Sequence, residues 1–218
     1  MRKVQLLAIL PFFSVIVLGA QADCHAKEAN PWSMFLPAIV NANADICPDE
    51  DLIADRYLPQ GKNCDVIKDI VNNLEWQRCS VGQTWNPATK NCDGETASFN
   101  NWYHATSMVL VNGWRVPSVV EMRSLIYCSS GNPMLFGNNL NDTPCGGDFT
   151  LPAIYTEAFP NVPYVDNSIK AHYWTSSTND MDPGMAWVVN FFKGKFDSDG
   201  TKVAPGLSVI LVRTPTAN

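Results

Sequence analysis

The chain predicts an α+β domain held by disulfides. Two helical segments stand beside several antiparallel strands instead of alternating with them, and long irregular stretches carry cysteines at their ends. The elements follow in chain order.

Arg2 and Lys3 precede an apolar run from Leu6 to Leu18, which ends in Gly19, Ala20, Gln21 and Ala22. A basic start, a short apolar stretch and a small-x-small end predict a secretory signal over residues 1–22, cleaved after Ala22. The run contains Pro11 and is shorter than the ~20 apolar residues of a spanning helix, so no transmembrane segment is expected in the mature chain. Cys24 invites a lipid anchor, but Asp23 stands between it and the cleavage site, which argues against lipidation.

Residues 23–55 are rich in Ala, Asn, Asp and Pro without a sustained period and read as an extended leader. A domain over 56–218 follows. Asp65 to Val71, the pair Asn72 and Asn73, and Leu74 to Cys79 predict two short strands around a tight turn. Asn100 to Leu110 predicts a helix capped by Asn100 or Asn101, with Trp102, Ala105, Met108 and Val109 on one face and Gly113 beyond its end. Ser118 and Glu121 form an S-x-x-E capping box after Pro117. Val119, Met122, Leu125 and Ile126 then give the apolar face of a helix running to about Cys128. Residues 129–170 are loop-rich, and strands are expected at Tyr173–Ser177, Ala186–Phe192 and Leu207–Arg213.

The seven cysteines are Cys24, Cys47, Cys64, Cys79, Cys92, Cys128 and Cys145. All lie beyond the predicted cleavage site, in a compartment where thiols oxidise. Sequence leaves their connectivity open, yet loop closure favours neighbours where the chain can turn. Gly82, Asn86 and Pro87 inside the first loop, and Gly131, Pro133 and Gly137 inside the second, favour Cys79–Cys92 and Cys128–Cys145. Cys47–Cys64 is the remaining neighbour pair. Cys24 is left over, available for an intermolecular disulfide. Structural zinc is not expected, since no C-x-x-C pair occurs and His25, His104 and His172 are far apart. No cofactor is expected.

The precursor has 15 basic and 21 acidic side chains, and removal of the signal leaves 13 against 21, a net charge of −8. Such a balance argues against nucleic acid and anionic membranes as partners.

Four blocks then carry a resemblance: Leu74 to Trp85, Gly113 to Ile126 with its W-R-V-P start, Tyr173 to Thr178, and Ala186 to Asn190. Together they resemble the bacterial domain family typified by the C-terminal domain of the Legionella collagen-like adhesin, over about residues 56–213. The resemblance implies a C-type-lectin-like fold, similar also to formylglycine-generating enzymes, with chain ends paired in one sheet and any binding surface on long loops. It also implies a surface adhesin, whose type member recognises sulfated polysaccharides. The present sequence lacks a collagen-like region, adds a leader with Cys24 and Cys47, and is acidic, whereas polysulfated ligands want clustered Lys and Arg.

Catalysis is not expected. Trp114, Arg115 and Pro117 read as core, brace and helix start; Glu121 and Arg123 read as a cap and a solvated or paired arginine. Tyr173 to Ser177 offers hydroxyls, but His172 points to the opposite strand face from Tyr173 and no G-x-S-x-G elbow exists. Asp197 to Gly200 resembles the start of a calcium loop, yet Ser208 occupies the twelfth position, and a turn between strands is the simpler reading. The expected function is a non-catalytic recognition or adhesion domain for a glycan or an envelope or surface protein, in the periplasm, at the cell surface or secreted. An assembly component of a surface appendage, or an enzyme with an unrecognised site, are the alternatives. Candidate ligand contacts are Phe136, Phe149, Tyr155, Phe159 and Tyr164 in the loop-rich stretch, where aromatic faces either meet a ligand or pin the loop to the core.

Overall fold

A computed structural model describes residue 47 and residues 51–129, 150–163, 171–192 and 194–215. The signal, residues 23–46 and 48–50 of the leader with Cys24, and Phe136, Phe149, Tyr164 and Cys145 lie outside the described residues. Nine strands and two short helices are described, a mixed α+β arrangement.

Strands β1 (Tyr57–Gln60), β2 (Val66–Asp69) and β3 (Leu74–Gln77) form an antiparallel meander, and β9 (Val212–Arg213) adds antiparallel to β3. Period-two alternation sends Ile67 and its cross-strand partner Trp76 into the core and leaves Lys68 and Glu75 on the outer face. The β2–β3 turn is organised by Asp69, whose carboxylate accepts from the backbone N–H groups of Val71 and Asn72, while Asn73 closes the turn at φ +52°. Arg56 donates twice to the same carboxylate, at 3.0 and 2.6 Å.

A two-stranded hairpin follows, β4 (Thr84–Asn86) with β5 (Asn91–Asp93), bound to the end of β3 by the Cys79–Cys92 disulfide. A second bridge joins Cys47 to Cys64. Cys128 is also disulfide-bonded.

Both helices are shorter than their sequence patterns predict. Helix α1 (Trp102–Thr106) has Asn101 as its N-cap but stops well before Leu110. Thr106 Oγ1 donates to the Trp102 carbonyl and Ser107 Oγ to that of His104, local bonds that compete with continuation. Val109, expected on the buried face, is 97% exposed. Helix α2 (Val119–Arg123) shows the full capping box between Ser118 and Glu121. Pro117 precedes the cap instead of entering the first turn, and its carbonyl accepts from Ser176 N. The helix ends at Arg123 because Ser124 Oγ donates back to the Glu121 carbonyl and the chain tightens into i to i+3 bonds at Leu125 and Ile126.

The third sheet has the order β6 (His172–Thr178), β7 (Met185–Asn190), β8 (Lys195–Thr201). Strand β8 corrects the sequence reading, since Asp197 to Gly200 lies within it and not in a turn. Gly200 is needed for closeness: a Cβ there would fall 2.6 Å from Val188 Cγ1 and 2.9 Å from Trp174 Cζ3. The expected strand at Leu207–Arg213 is paired piecemeal. Ser208 bridges β6 in parallel, the Val209 and Leu211 carbonyls accept from Val81 and Gln77, and only Val212 and Arg213 complete a ladder. This segment therefore stitches the two larger sheets together, and Leu207 and Val209 to Val212 are buried along it.

Candidate recognition site

Four aromatic rings run in series from the core to the surface. Phe159, fully buried, meets Tyr57 of β1 edge-on at 5.4 Å between centroids. Tyr57, also fully buried, meets Tyr155 edge-on at 5.7 Å. Tyr155 stacks face to face on Tyr127, with centroids 3.8 Å apart and planes 26° from parallel. Tyr127 is 36% exposed and ends the series in solvent.

The backbone holds the outer pair in register. Tyr127 N donates to the Ala153 carbonyl, Ala153 N to the Phe191 carbonyl beside β7, and Phe159 N to the Tyr155 carbonyl. Burial pushes the Tyr57 hydroxyl far above its ordinary range. Burial, reinforced by a hydrogen bond with Tyr127, also pushes Tyr155 up, so both hydroxyls are neutral at physiological pH. The Arg56 guanidinium lies 4.7 Å from the centroid of the Tyr57 ring, but it is closed on Asp69 and braces the ladder from below.

Thr156 and Glu157, the residues after Tyr155, form one wall of a cleft of about 600 Å³. Asp51 and Leu52 form another part of the lining, with Arg78 and Lys90. Arg78 is 3% exposed. It donates to the carbonyls of Cys64 and Glu157, and its guanidinium lies 3.8 Å over the Trp85 ring.

A family model described as the Lcl C-terminal domain matches residues 65–213. The chain belongs to the Lcl C-terminal domain family. The match contains Tyr127, Tyr155 and Phe159 and begins after Tyr57, so this Lcl C-terminal domain draws one ring of its ladder from outside the matched residues. No curated protein and no solved structure matches the chain.

Of the ligand contacts read from the sequence, the Lcl C-terminal domain places Tyr155, partly buried, directly beneath the exposed Tyr127 and Phe159 at the buried root of the ladder. Phe159 is thus a packing residue with no face left for a ligand. Tyr127 was missed. The helix pattern carried the reading through Cys128 and absorbed Tyr127 into a helix end, whereas the early stop at Arg123 frees it to stack.

A second cleft, of about 290 Å³, lies between β3, the β4–β5 hairpin and β9, with Trp85 and Trp114 in its lining. Its indoles are already engaged: Trp85 lies under Arg78 and donates Nε1–H to the Asn63 carbonyl, and Trp114 lies under Arg213 at 4.4 Å. Stacking on a ligand therefore favours the tyrosine pair.

The other sequence candidates have structural partners. Arg115 makes two bonds to Glu121, one of 2.8 Å, and Glu121 also accepts from Ser118. Burial alone would raise the Glu121 pKa, but these bonds outweigh it and hold the carboxyl below its ordinary range. In β6, Thr175 Oγ1 donates to the Trp187 carbonyl, Ser177 Oγ accepts from Val119 N, and Tyr173 bonds Ser80 at 2.8 Å. His172 Nε2 meets Asn190 Nδ2 at 2.9 Å. Among the described residues, no group of three or more His, Cys, Asp or Glu side chains is placed to hold a metal.

Proposed function

We propose that this Lcl C-terminal domain is a non-catalytic recognition and adhesion module, acting outside the cytoplasm on a glycan or protein partner through the Tyr127–Tyr155 surface. The observation that carries this reading is an exposed ring backed by a ladder rooted in the core. An aromatic side chain held rigid before contact has little conformational entropy left to lose on binding. Family membership suggests a surface-associated domain. The disulfides suit an oxidising compartment, and no helix among the described residues is long and apolar enough to cross a membrane. A C-type-lectin-like scaffold agrees with the pairing of early strand β3 with the last strand, β9, and with the loop-borne position of Tyr155.

The test is capture of a partner by glycan array or by pull-down from the native envelope, followed by titration of variants. Tyr127→Ala should weaken binding at least about tenfold, or ~1.4 kcal/mol, with thermal unfolding near that of the parent. Val109→Ser, at an exposed residue away from the ladder, should bind as the parent does. Full binding by a folded Tyr127→Ala protein refutes the assignment.

A further inference from the structure

Thr156 and Glu157, which follow Tyr155 in the chain, line a cleft of mixed charge: we infer that the surface takes an uncharged glycan, with a sugar ring on Tyr127 and its hydroxyls reaching Thr156 and Glu157. This rests on the recognition reading above and narrows it.

The cleft is electrically balanced. Asp51 and Glu157 line it together with Arg78 and Lys90, and Thr156 adds a hydroxyl. Carboxylates accept from sugar hydroxyls, whereas ammonium and hydroxyl groups donate to them, so a lining of both kinds suits a ligand that donates and accepts at every carbon. A polyanion would meet Asp51 and Glu157 as repulsive neighbours.

Four arginines that could grip a sulfate are engaged inside the fold. Arg78 is buried, gives bonds to two backbone carbonyls and covers Trp85. Arg56 is closed on Asp69, Arg115 on Glu121 and Arg213 on Glu75. Each of these arginines would have to break a bond already made before gripping an anion, and the chain as a whole carries a net charge of −6. The stacking pair has the opposite character. The stacked tyrosines, with burial pushing the Tyr155 hydroxyl away from ionisation, present a flat π-face that suits the C–H face of a pyranose. The cleft volume of about 600 Å³ lies within the ordinary range for small-ligand sites.

The experiment uses the secreted, oxidised protein against a panel of neutral oligosaccharides of glucose, galactose, mannose and N-acetylhexosamines, with heparin and dextran sulfate beside them. Binding is measured by calorimetry at roughly 0.05 and 0.5 M salt, a range over which surface charge contacts are strongly screened. The expected result is binding to a neutral glycan, with an affinity that changes less than about twofold between the two salts. Tyr127→Ala should lower that affinity about tenfold or more, and Lys90→Ala should leave heparin binding absent. Salt-sensitive binding of heparin or dextran sulfate that Lys90→Ala removes overturns the inference. So does a Tyr127-dependent protein or peptide partner with no glycan bound, although that outcome leaves the recognition surface standing. Glycan binding that ignores Tyr127→Ala overturns both.

Discussion

Asp69 is fully buried, and its carboxylate survives there because it accepts five hydrogen bonds, two from Arg56, two from Asn72 and one from Val71. Burial alone would raise its pKa, but the bonds from Arg56 and Asn72 outweigh burial and set it below the ordinary value of 3.8. Because the folded value is the lower one, the ionised carboxylate stabilises the fold above that ordinary value, and the contribution disappears as pH falls through the folded value. Asp69→Ala should therefore cost about 3–5 kcal/mol in urea unfolding at neutral pH, since it leaves Arg56 half-buried without its partner. The gap between variant and parent should narrow as the parent is acidified; a gap that holds constant to the acid limit contradicts the account. This turn was legible as Asn72 and Asn73 between two apolar runs. The ion pair that anchors it was not, because Arg56 and Asp69 are brought together only once β1 lies against β2. Tyr127 was illegible for a related reason: its stacking partner is 28 residues away, and only tertiary structure shows which aromatic side chains reach the surface.

Among the elements, capping chemistry was the most readable, since S-x-x-E at Ser118 and Glu121 specifies its own local geometry. Helix lengths were less so. Met108 and Val109 fit an apolar stripe on paper, but hydroxyls at Thr106 and Ser107 return to the helix carbonyls and end it. Strand β8 shows the reverse error, in which Asp and Gly suggested a turn although the residues pair with β7 from Met185 to Asn190. What selects glycine there is the distance to β7 and β6. Gly200→Ala should accordingly destabilise by about 1–3 kcal/mol through overpacking against Val188 and Trp174. Chemical denaturation would measure it, and a neutral substitution would mean that β8 sits farther from its neighbours than the structure places it.

At the scale of the whole molecule, the α+β class and the Lcl family blocks were visible in the sequence, whereas the closure of the first sheet by β9 joins residues 138 positions apart. That closure has a mechanical consequence. The chain enters the sheet at Tyr57, opposite Asp69, and leaves it past Arg213, opposite Glu75, so both exits lie at one end of the strands. Tension applied across such exits would peel β1 away rung by rung. The Cys47–Cys64 bridge reroutes the load, because force arriving from the amino-terminal side passes from Cys47 directly to Cys64, just before Val66 at the opposite end of the sheet. Pulling then drags β2 lengthwise against β3 and β9, and the rungs resist together in shear. In single-molecule extension, Cys47→Ser with Cys64→Ser should rupture at lower force than the oxidised parent; equal rupture forces would show that the bridge carries no load. Under the adhesion reading proposed above, this bridge turns a peeling joint into a shear joint.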